Sequence, residues 1–208
     1  MGGGSILLRK TESGNAPLLL VLAGPNGSGK SFVTRSIKTH GLYINADDIK
    51  RLNKNISEME AAMAAEELRE YCLRSRMDFT FETVLSTNRN LDLIARAKKA
   101  GYFIDCYFVL TTDPELNVRR VKSRVSHGGH GVPIDKIRSR YKKSLGNIPA
   151  LVELCDIIRI VDNTDKPFII YKKDIAGNEI ISENKYWARK RIVSLIKSPA
   201  FCWTTTFD

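Results

Sequence analysis

The stretch LLLVLAGPNGSGKSFV, residues 18–33, decides the fold of this chain. Its first six residues, 18–23, are all apolar and predict a fully buried strand, and the residues that follow predict a helix over 31–38. Between them, GPNGSGKS matches the pattern G-x-x-x-x-G-K-[ST] in the strand, loop and helix context that this motif requires. The stretch therefore predicts a phosphate-binding loop.

Loops of this pattern hold phosphate groups through their backbone. Glycines let successive amides turn inward, and the helix that follows adds the positive end of its dipole. Lys30 is expected to bridge the β- and γ-phosphates of ATP, and the Ser31 hydroxyl to ligate Mg²⁺. ATP and Mg²⁺ are thus the predicted cofactors. The ATP-binding residues predicted in this segment are Gly24, Pro25, Asn26, Gly27, Ser28, Gly29, Lys30, Ser31 and Phe32.

Beyond the loop, short apolar runs alternate with amphipathic ones. Further strands are predicted at 42–45, 79–85, 102–110 and 156–162. Helices are predicted after Ser57, over 90–100, from Asp113 and from Ile134. This alternation is typical of a parallel sheet with helices on both faces. A different pattern follows, in which 166–182 predicts an antiparallel hairpin and 185–197 a last helix.

Composition restricts the function classes. The chain has 208 residues, with 33 Lys and Arg against 23 Asp and Glu, a net charge of +10. This excess favours a polyanionic partner such as a nucleotide, a sugar nucleotide or nucleic acid. The length suits one domain over 1–208, from which we exclude 1–16 because its GGGS is typical of an expression tag and we expect the segment to be poorly ordered.

The cysteines and the apolar runs favour a cytoplasmic protein. Cys72, Cys106, Cys155 and Cys202 are widely spaced without a CxxC pair, which argues against a zinc site or a disulfide framework. We expect buried thiols in a reducing compartment. No apolar run approaches the roughly 18 residues needed to cross a bilayer, so no membrane partner is expected.

The acceptor for the phosphate is predicted at the ends of the next two strands. YINADDI places Asp47 and Asp48 at the edge of the sheet where ligands of such folds gather, and either carboxylate could accept a proton from an attacking hydroxyl. We expect one of the two aspartates to be catalytic and the other to cap the helix that begins at IKRL. Glu82 in FETVLS is costly to bury alone and should face a polar cleft, although an exposed edge position is the alternative. Expected acceptor-binding residues are Asn45, Glu82, Thr83, Ser86 and Asn88.

Residues 119–141, RRVKSRVSHGGHGVPIDKIRSRY, predict an arginine-rich lid. Arg120 and Arg124 lie one helical turn apart, Arg140 returns from the next helix, and Gly128 with Gly129 supplies a hinge. Arg124 and Arg140 are the predicted catalytic arginines and Arg120 a phosphate ligand. A solvated basic face is the alternative. His130 is more typical of a loop hydrogen bond than of a catalytic base.

The end of the fifth core strand, IVDNT, offers one further candidate. Asn163 would approach the adenine of ATP if the strand ends there, as in other phosphate-loop kinases, but Asn is equally a turn residue.

Taken in order, AGPNGSGKS, INADDI, FETVLS, RVKSR, GGHGVP and RYKKSL resemble the zeta toxin family over about residues 17–165, and in particular its compact, chromosomally encoded branch. The resemblance implies a three-layer P-loop kinase fold with a central parallel sheet, a helical lid over 119–141 and a C-terminal hairpin, helix and tail over 166–208. It implies transfer of the ATP γ-phosphate to the 3′-hydroxyl of a UDP-amino sugar such as UDP-N-acetylglucosamine, and restraint by an antitoxin. It also implies Asp47 as the catalytic base, Glu82 as a sugar-nucleotide ligand, and Arg120, Arg124 and Arg140 as phosphate ligands.

Other function classes share part of this pattern. An ABC-type ATPase module would need an LSGGQ-like signature and a strand ending in Asp-Glu, and the sequence has neither. A polynucleotide kinase or nucleic-acid-directed ATPase suits the charge, but no recognisable nucleic-acid module is present, which disfavours a nucleic-acid partner. A kinase of another small metabolite would share every catalytic feature and differ only in the acceptor pocket.

Overall fold

The computed structural model describes residues 10–11, 14–129 and 131–197. Expectations for the GGGS segment, His130, Cys202 and the tail beyond 197 concern residues outside this part. Within it, no helix is long and apolar enough to traverse a bilayer. Cys72, Cys106 and Cys155 are buried, free thiols, as expected.

A mixed sheet of seven strands, counted over the described residues, forms the centre of the protein. Two short strands, β1 (Lys10–Thr11) and β2 (Gly14–Asn15), pair separately before it. The strands of the main sheet, in chain order, are β3 (Leu18–Ala23), β4 (Leu42–Ile44), β5 (Phe79–Thr83), β6 (Phe103–Leu110), β7 (Ile157–Asp162), β8 (Phe168–Lys173) and β9 (Glu179–Ile181). Their spatial order is β4-β5-β3-β6-β7-β8-β9. The first five strands in this order are parallel to one another, whereas β8 pairs antiparallel with β7 and β9 antiparallel with β8.

Helices connect the parallel strands. They are α1 (Lys30–Thr34), α2 (Ala46–Leu52), α3 (Glu58–Arg74), α4 (Asn88–Lys99), α5 (Pro114–Ser126), α6 (Ile134–Gly146), α7 (Ile148–Leu154) and α8 (Arg189–Lys197). Ser57 and Glu60 form the predicted capping box of α3. The side chain of Asp113 caps α5, which carries Pro114 in its first turn. Two helices therefore begin where these capping signals in the sequence predicted them.

The alternation of side chains along β3 separates the two faces of the sheet. Leu19 and Val21 enter the main core, where they join buried residues of α3, α4, α6, α7 and α8. Leu20 and Leu22 point to the opposite face, toward α1. The predicted α/β fold with helices on both faces of a sheet is therefore confirmed.

The structure corrects three details of that prediction. α1 ends at Thr34 rather than at residue 38, and the Thr34 hydroxyl donates back to the carbonyl of Lys30 at 2.9 Å, which competes with helix continuation. The predicted hairpin belongs to the main sheet, because β8 pairs antiparallel with β7, so the central sheet is mixed rather than parallel. The helix α7 was not predicted as a separate element; it begins directly after α6 with Pro149 in its first turn.

Candidate active site

The carboxyl ends of β3, β4 and β5 meet at one edge of the sheet, because these strands are parallel and in register. Leu22 is opposite Glu82, and Ala23 is opposite both Thr83 and Phe108. A cavity of about 390 Å³ opens at this edge. It is lined by Asn26, Gly27, Gly29, Lys30, Ser31, Phe32, Asn45, Ala46, Asp47, Glu82, Thr83, Val84, Arg120, Val121 and Arg124.

The phosphate loop, residues 24–31, has a backbone that only glycine tolerates at two points on this cavity. Gly27 and Gly29 have φ of +76° and +84°. A Cβ at Gly27 would lie 2.5 Å from the Asn117 carbonyl oxygen, and one at Gly29 would lie 2.2 Å from Nδ2 of Asn163. The pattern of glycines in the sequence thus reflects both the backbone conformation and the close approach of two neighbouring segments.

Side chains from distant elements hold the loop in this shape. Asn163 Nδ2 donates to the carbonyl of Ser28 at 2.8 Å, and Asn117 Nδ2 donates to the carbonyl of Asn26 at 2.8 Å. Asn117 is itself fixed because its Oδ1 accepts from the Thr111 hydroxyl at 2.5 Å. The carbonyls of Asn26 and Ser28 therefore accept hydrogen bonds from neighbouring segments. The amides of Gly27 and Gly29 make no hydrogen bond to any described residue.

Three buried polar atoms around the loop lack a partner among the described residues. They are Asn26 Oδ1, Ser28 Oγ and Arg120 Nη1. A buried polar atom without a hydrogen bond is costly, so these atoms are expected to meet water or a bound ligand. Asn26 and Arg120 line the cavity, and the guanidinium of Arg120 is a donor that suits phosphate oxygens.

Lys30 lies in the floor of the cavity. Its Nζ donates to the carbonyl of Gly24 at 2.7 Å and to that of Pro25 at 3.3 Å. Burial lowers the pKa of Lys30 to about 8, while the carboxylates of Glu82 and Asp47 oppose this shift. An anion bound in the loop would therefore strengthen the charged form of Lys30.

The opposite wall, the acceptor side, contains Asn45, Asp47 and Glu82. Asp47 is exposed at the start of α2, and its amide donates to Asn45 Oδ1 at 2.9 Å. Asn45 is therefore the cap of α2, and the expectation that one of the two aspartates caps this helix is wrong. Asn45 ranks with Asp as a cap, and the two aspartates then occupy the first turn, where the dipole favours them. Asp48 instead pairs with Arg51 at 2.9 Å on the surface.

Tyr43 was missed in the sequence, although it precedes the predicted aspartates by four residues. Its hydroxyl donates to Glu82 Oε1 at 2.8 Å and accepts from Asn45 Nδ2 at 3.2 Å. The alternation of side chains in extended backbone was the available signal, because Asn45, which follows β4 in an extended conformation, is two residues from Tyr43.

The other predicted acceptor residues have different positions. Thr83 lines the cavity, but its hydroxyl oxygen already accepts from the Leu85 amide at 2.9 Å and from Asn90 Nδ2 at 2.7 Å. Ser86 is half-buried and Asn88 is exposed at the first residue of α4, and neither lines the cavity.

The predicted arginines divide into two groups. Arg124 and Arg120 reach the cavity from α5. Arg120 Nη2 donates to the carbonyls of Asn163 and Thr164 at 2.9 and 3.0 Å, so this side chain also holds the end of β7. Arg140, on α6, does not line the cavity. Asn163 donates to the loop and does not line the cavity. The loop residues Gly24, Pro25 and Ser28 are buried and do not line it either.

The remaining part of the predicted lid is a helical hairpin with its own apolar contacts. Val118 and Val121 of α5 pack against Ile137 of α6. Gly128, with φ of +83°, follows the end of α5, as predicted for a break between two helices. The base of α6 is tied to the sheet, since Ser144 donates to the carbonyl of Val84 at 2.7 Å.

No cluster of three or more His, Cys, Asp or Glu side chains suited to a metal occurs among the described residues. Of the two serines in the loop, Ser31 lines the cavity. Because Mg²⁺ keeps several waters and takes further ligands from substrate phosphates, a single hydroxyl from the protein is compatible with it.

Comparison with known proteins agrees with this geometry. A family model described as zeta toxin matches residues 5–175. The chain belongs to the zeta toxin family. An uncharacterized protein of Haemophilus influenzae is 29% identical to this zeta toxin family member over 124 residues, which are 57% of this chain and 88% of the relative.

Solved structures share the fold. A chain of the AvrRxo1-ORF1:-ORF2 complex with ATP is 16% identical with a TM-score of 0.68, over 92% of this chain and 66% of that one. A chain from the PezAT chromosomal toxin-antitoxin system of Streptococcus pneumoniae is 18% identical with a TM-score of 0.53, over 80% and 75% of the two chains. This chain spans about two thirds of the AvrRxo1 chain. Its P-loop kinase fold, its family and its class as a phosphotransferase are thus established.

Proposed function

We propose that this member of the zeta toxin family transfers the γ-phosphate of ATP to the 3′-hydroxyl of a UDP-amino sugar such as UDP-N-acetylglucosamine. One observation carries the proposal: a single cavity has the phosphate loop and Lys30 on one wall, and Asp47 and Glu82 on the other. A phosphate donor and a hydroxyl acceptor bound on these two walls would meet between them. The choice of acceptor is supported by the family rather than by the cavity.

The donor side holds the triphosphate. The loop amides and the unpartnered Nη1 of Arg120 bind phosphate oxygens, and Lys30 moves from the carbonyls of Gly24 and Pro25 to the β- and γ-phosphates. Bound Mg²⁺, held by Ser31, supplies charge neutralisation at the phosphates. Phe32, which is 64% exposed at the cavity, is available to pack on the nucleotide.

The acceptor side supplies the base. Asp47 accepts the proton of the sugar hydroxyl while that oxygen forms a bond with the γ-phosphorus and the bond from phosphorus to the β–γ bridging oxygen breaks. ADP leaves with the negative charge, and Arg124 stabilises the moving phosphoryl group. Glu82 holds the acceptor. The lid, 119–141, closes over both substrates, while α6 stays held beyond the lid by the hydrogen bond from Ser144 to the Val84 carbonyl.

The matched structures also favour a protein partner for this chain. AvrRxo1-ORF1 was crystallised with ORF2, and PezAT is a toxin-antitoxin system. We propose that an antitoxin binds this chain and restrains its kinase activity.

The decisive experiment is a panel of acceptors. The protein is incubated with Mg²⁺, ATP and either UDP-N-acetylglucosamine, UDP-glucose, a nucleoside, an oligonucleotide with a free 5′-hydroxyl, or a mixture of small metabolites, and the products are analysed by mass spectrometry and NMR. We expect one phosphate on the 3′-oxygen of the amino sugar. Lys30→Ala is the control, and it should be folded and inactive because the cradle loses its charge.

The outcomes separate the alternatives. Phosphate found only on the oligonucleotide would assign a polynucleotide kinase, and phosphate found only on another metabolite would overturn the choice of sugar. Transfer by a correctly folded Lys30→Ala variant would contradict the kinase mechanism itself.

A further inference from the structure

A second cavity, of about 460 Å³, adjoins the first on the side of α1 and β4. The two cavities share Ser31, Asn45 and Glu82 in their linings. Glu82 therefore stands at the junction between them. The walls particular to the second cavity are Leu22, Thr34, Arg35, Ile37, Thr39, Tyr43 and Asp48, most of which are polar.

The orientation of Glu82 at this junction depends on one contact. The hydroxyl of Tyr43 donates to its Oε1 at 2.8 Å, and Glu82 makes no other hydrogen bond or ion pair among the described residues. A long carboxylate side chain without such a contact would sample several rotamers. Its second oxygen is left to meet a ligand.

Tyr43 is itself held by the segment that carries Asp47. Asn45 donates to the Tyr43 hydroxyl through Nδ2 and accepts from the Asp47 amide through Oδ1. Consecutive hydrogen bonds thus link the Glu82 carboxylate through Tyr43 and Asn45 to the backbone amide of Asp47, which ties Glu82 to the segment that carries the second carboxylate. Burial and the nearby Glu82 carboxylate raise the pKa of Tyr43, with Asn45 opposing, and its hydroxyl stays a donor.

The stability of the fold does little to explain the presence of the Tyr43 hydroxyl. Tyr43 lies on the edge strand β4 and is 36% exposed, and water would satisfy its hydroxyl there. Yet the hydroxyl contacts a carboxylate at the junction of two cavities.

We propose that Tyr43 is a positioning residue, which holds the Glu82 carboxylate toward the acceptor and in register with Asp47. The inference rests on the proposed kinase function and adds a residue to it. Its predicted effect is on acceptor binding, because Glu82 contacts the acceptor and Asp47 remains to accept the proton.

The test compares Tyr43→Phe, Glu82→Gln and the double variant, with ATP and the acceptor that the panel identifies. Tyr43→Phe keeps the ring and should raise the KM for the acceptor about tenfold, which is the scale of one lost hydrogen bond to a charged group. The KM for ATP and kcat should change less than about threefold. In the Glu82→Gln background, loss of the Tyr43 hydroxyl should add less than about twofold, because the charge is already absent and only a neutral hydrogen bond to the amide oxygen is lost.

Tyr71→Phe is the matched control, since this tyrosine is exposed on α3, away from both cavities. It should change neither KM, and both Phe variants should melt close to the unaltered protein. An unchanged acceptor KM in Tyr43→Phe, or full additivity with Glu82→Gln, would overturn this inference and leave the kinase proposal intact. Absence of transfer from the unaltered protein to every acceptor would overturn both.

Discussion

The two walls of the cavity are built in opposite ways. The donor side is mostly backbone, with its carbonyls tied behind the cavity by Asn117 and Asn163. The acceptor side consists of side chains near an edge strand, and both Tyr43 and Asp47 are exposed. Backbone amides recognise what all nucleoside triphosphates share, whereas side chains at an edge can change without loss of the fold. In the proposed reaction, ATP would therefore meet a braced backbone wall, and the acceptor a wall of exposed side chains.

The largest effect should come from the acceptor side. Asp47→Asn keeps the size of the side chain and removes the basic oxygen, so transfer should fall on the order of a thousandfold with little change in ATP binding. Single-turnover kinetics and ATP titration measure the two quantities. Asp48→Asn is the neighbouring control and should be mild, because it loses only an exposed pair with Arg51. The reverse ranking of the two variants would assign the base to Asp48.

A smaller effect should separate the two predicted catalytic arginines. Arg124→Ala should lower kcat on the order of a hundredfold if this side chain stabilises the moving phosphoryl group. Arg140→Ala should stay within about threefold, since Arg140 does not line the cavity. Equal losses in both variants would mean that lid closure brings Arg140 to the site, and unchanged kcat in both would make the segment a solvated basic face.

Removing the hydrogen bond by which Asn163 braces the phosphate loop should affect the donor side alone. Asn163→Ala frees the Ser28 carbonyl, and the KM for ATP should rise about tenfold because the loop loses its preorganised shape. Stability should fall by about 1–3 kcal/mol, measured by urea denaturation. Asn178→Ala, in the turn between β8 and β9, is a control that should leave ATP binding unchanged. A normal KM for ATP in a destabilised Asn163→Ala protein would show that the brace serves folding only.

The smallest effect should come from pH. Burial lowers the pKa of Lys30 to about 8, below its ordinary value, and phosphates favour the charged form. ATP binding should be strongest below pH 8 and weaken above it, by about fourfold between about pH 7 and 8.5, because binding must then recruit a proton. Titrations at several pH values would measure this slope. A Lys30→Arg variant stays charged throughout and should bind without that slope, whatever its affinity.

The sequence predicted the donor side better than the acceptor side, for physical reasons. Gly27 and Gly29 can be recognised in the sequence, because their backbone conformation requires glycine at fixed positions of a short motif. The contact between Asn163 and Ser28 joins residues 135 positions apart, and no local pattern encodes it. The cap of α2 was assigned to the wrong residue because Asn45, Asp47 and Asp48 all suit a helix start. Tyr43 acquires its significance only when β4 lies beside β5.

The ends of the sheet carry a consequence for solubility. Both margins consist of three-residue strands, β4 at one side and β9 at the other. An edge strand exposes unpaired backbone groups that can template aggregation with another chain, and shortness limits this hazard. Tyr43 of β4 therefore lies on a strand whose shortness also limits unwanted strand addition, and a substitution there that lengthened the strand would favour aggregation.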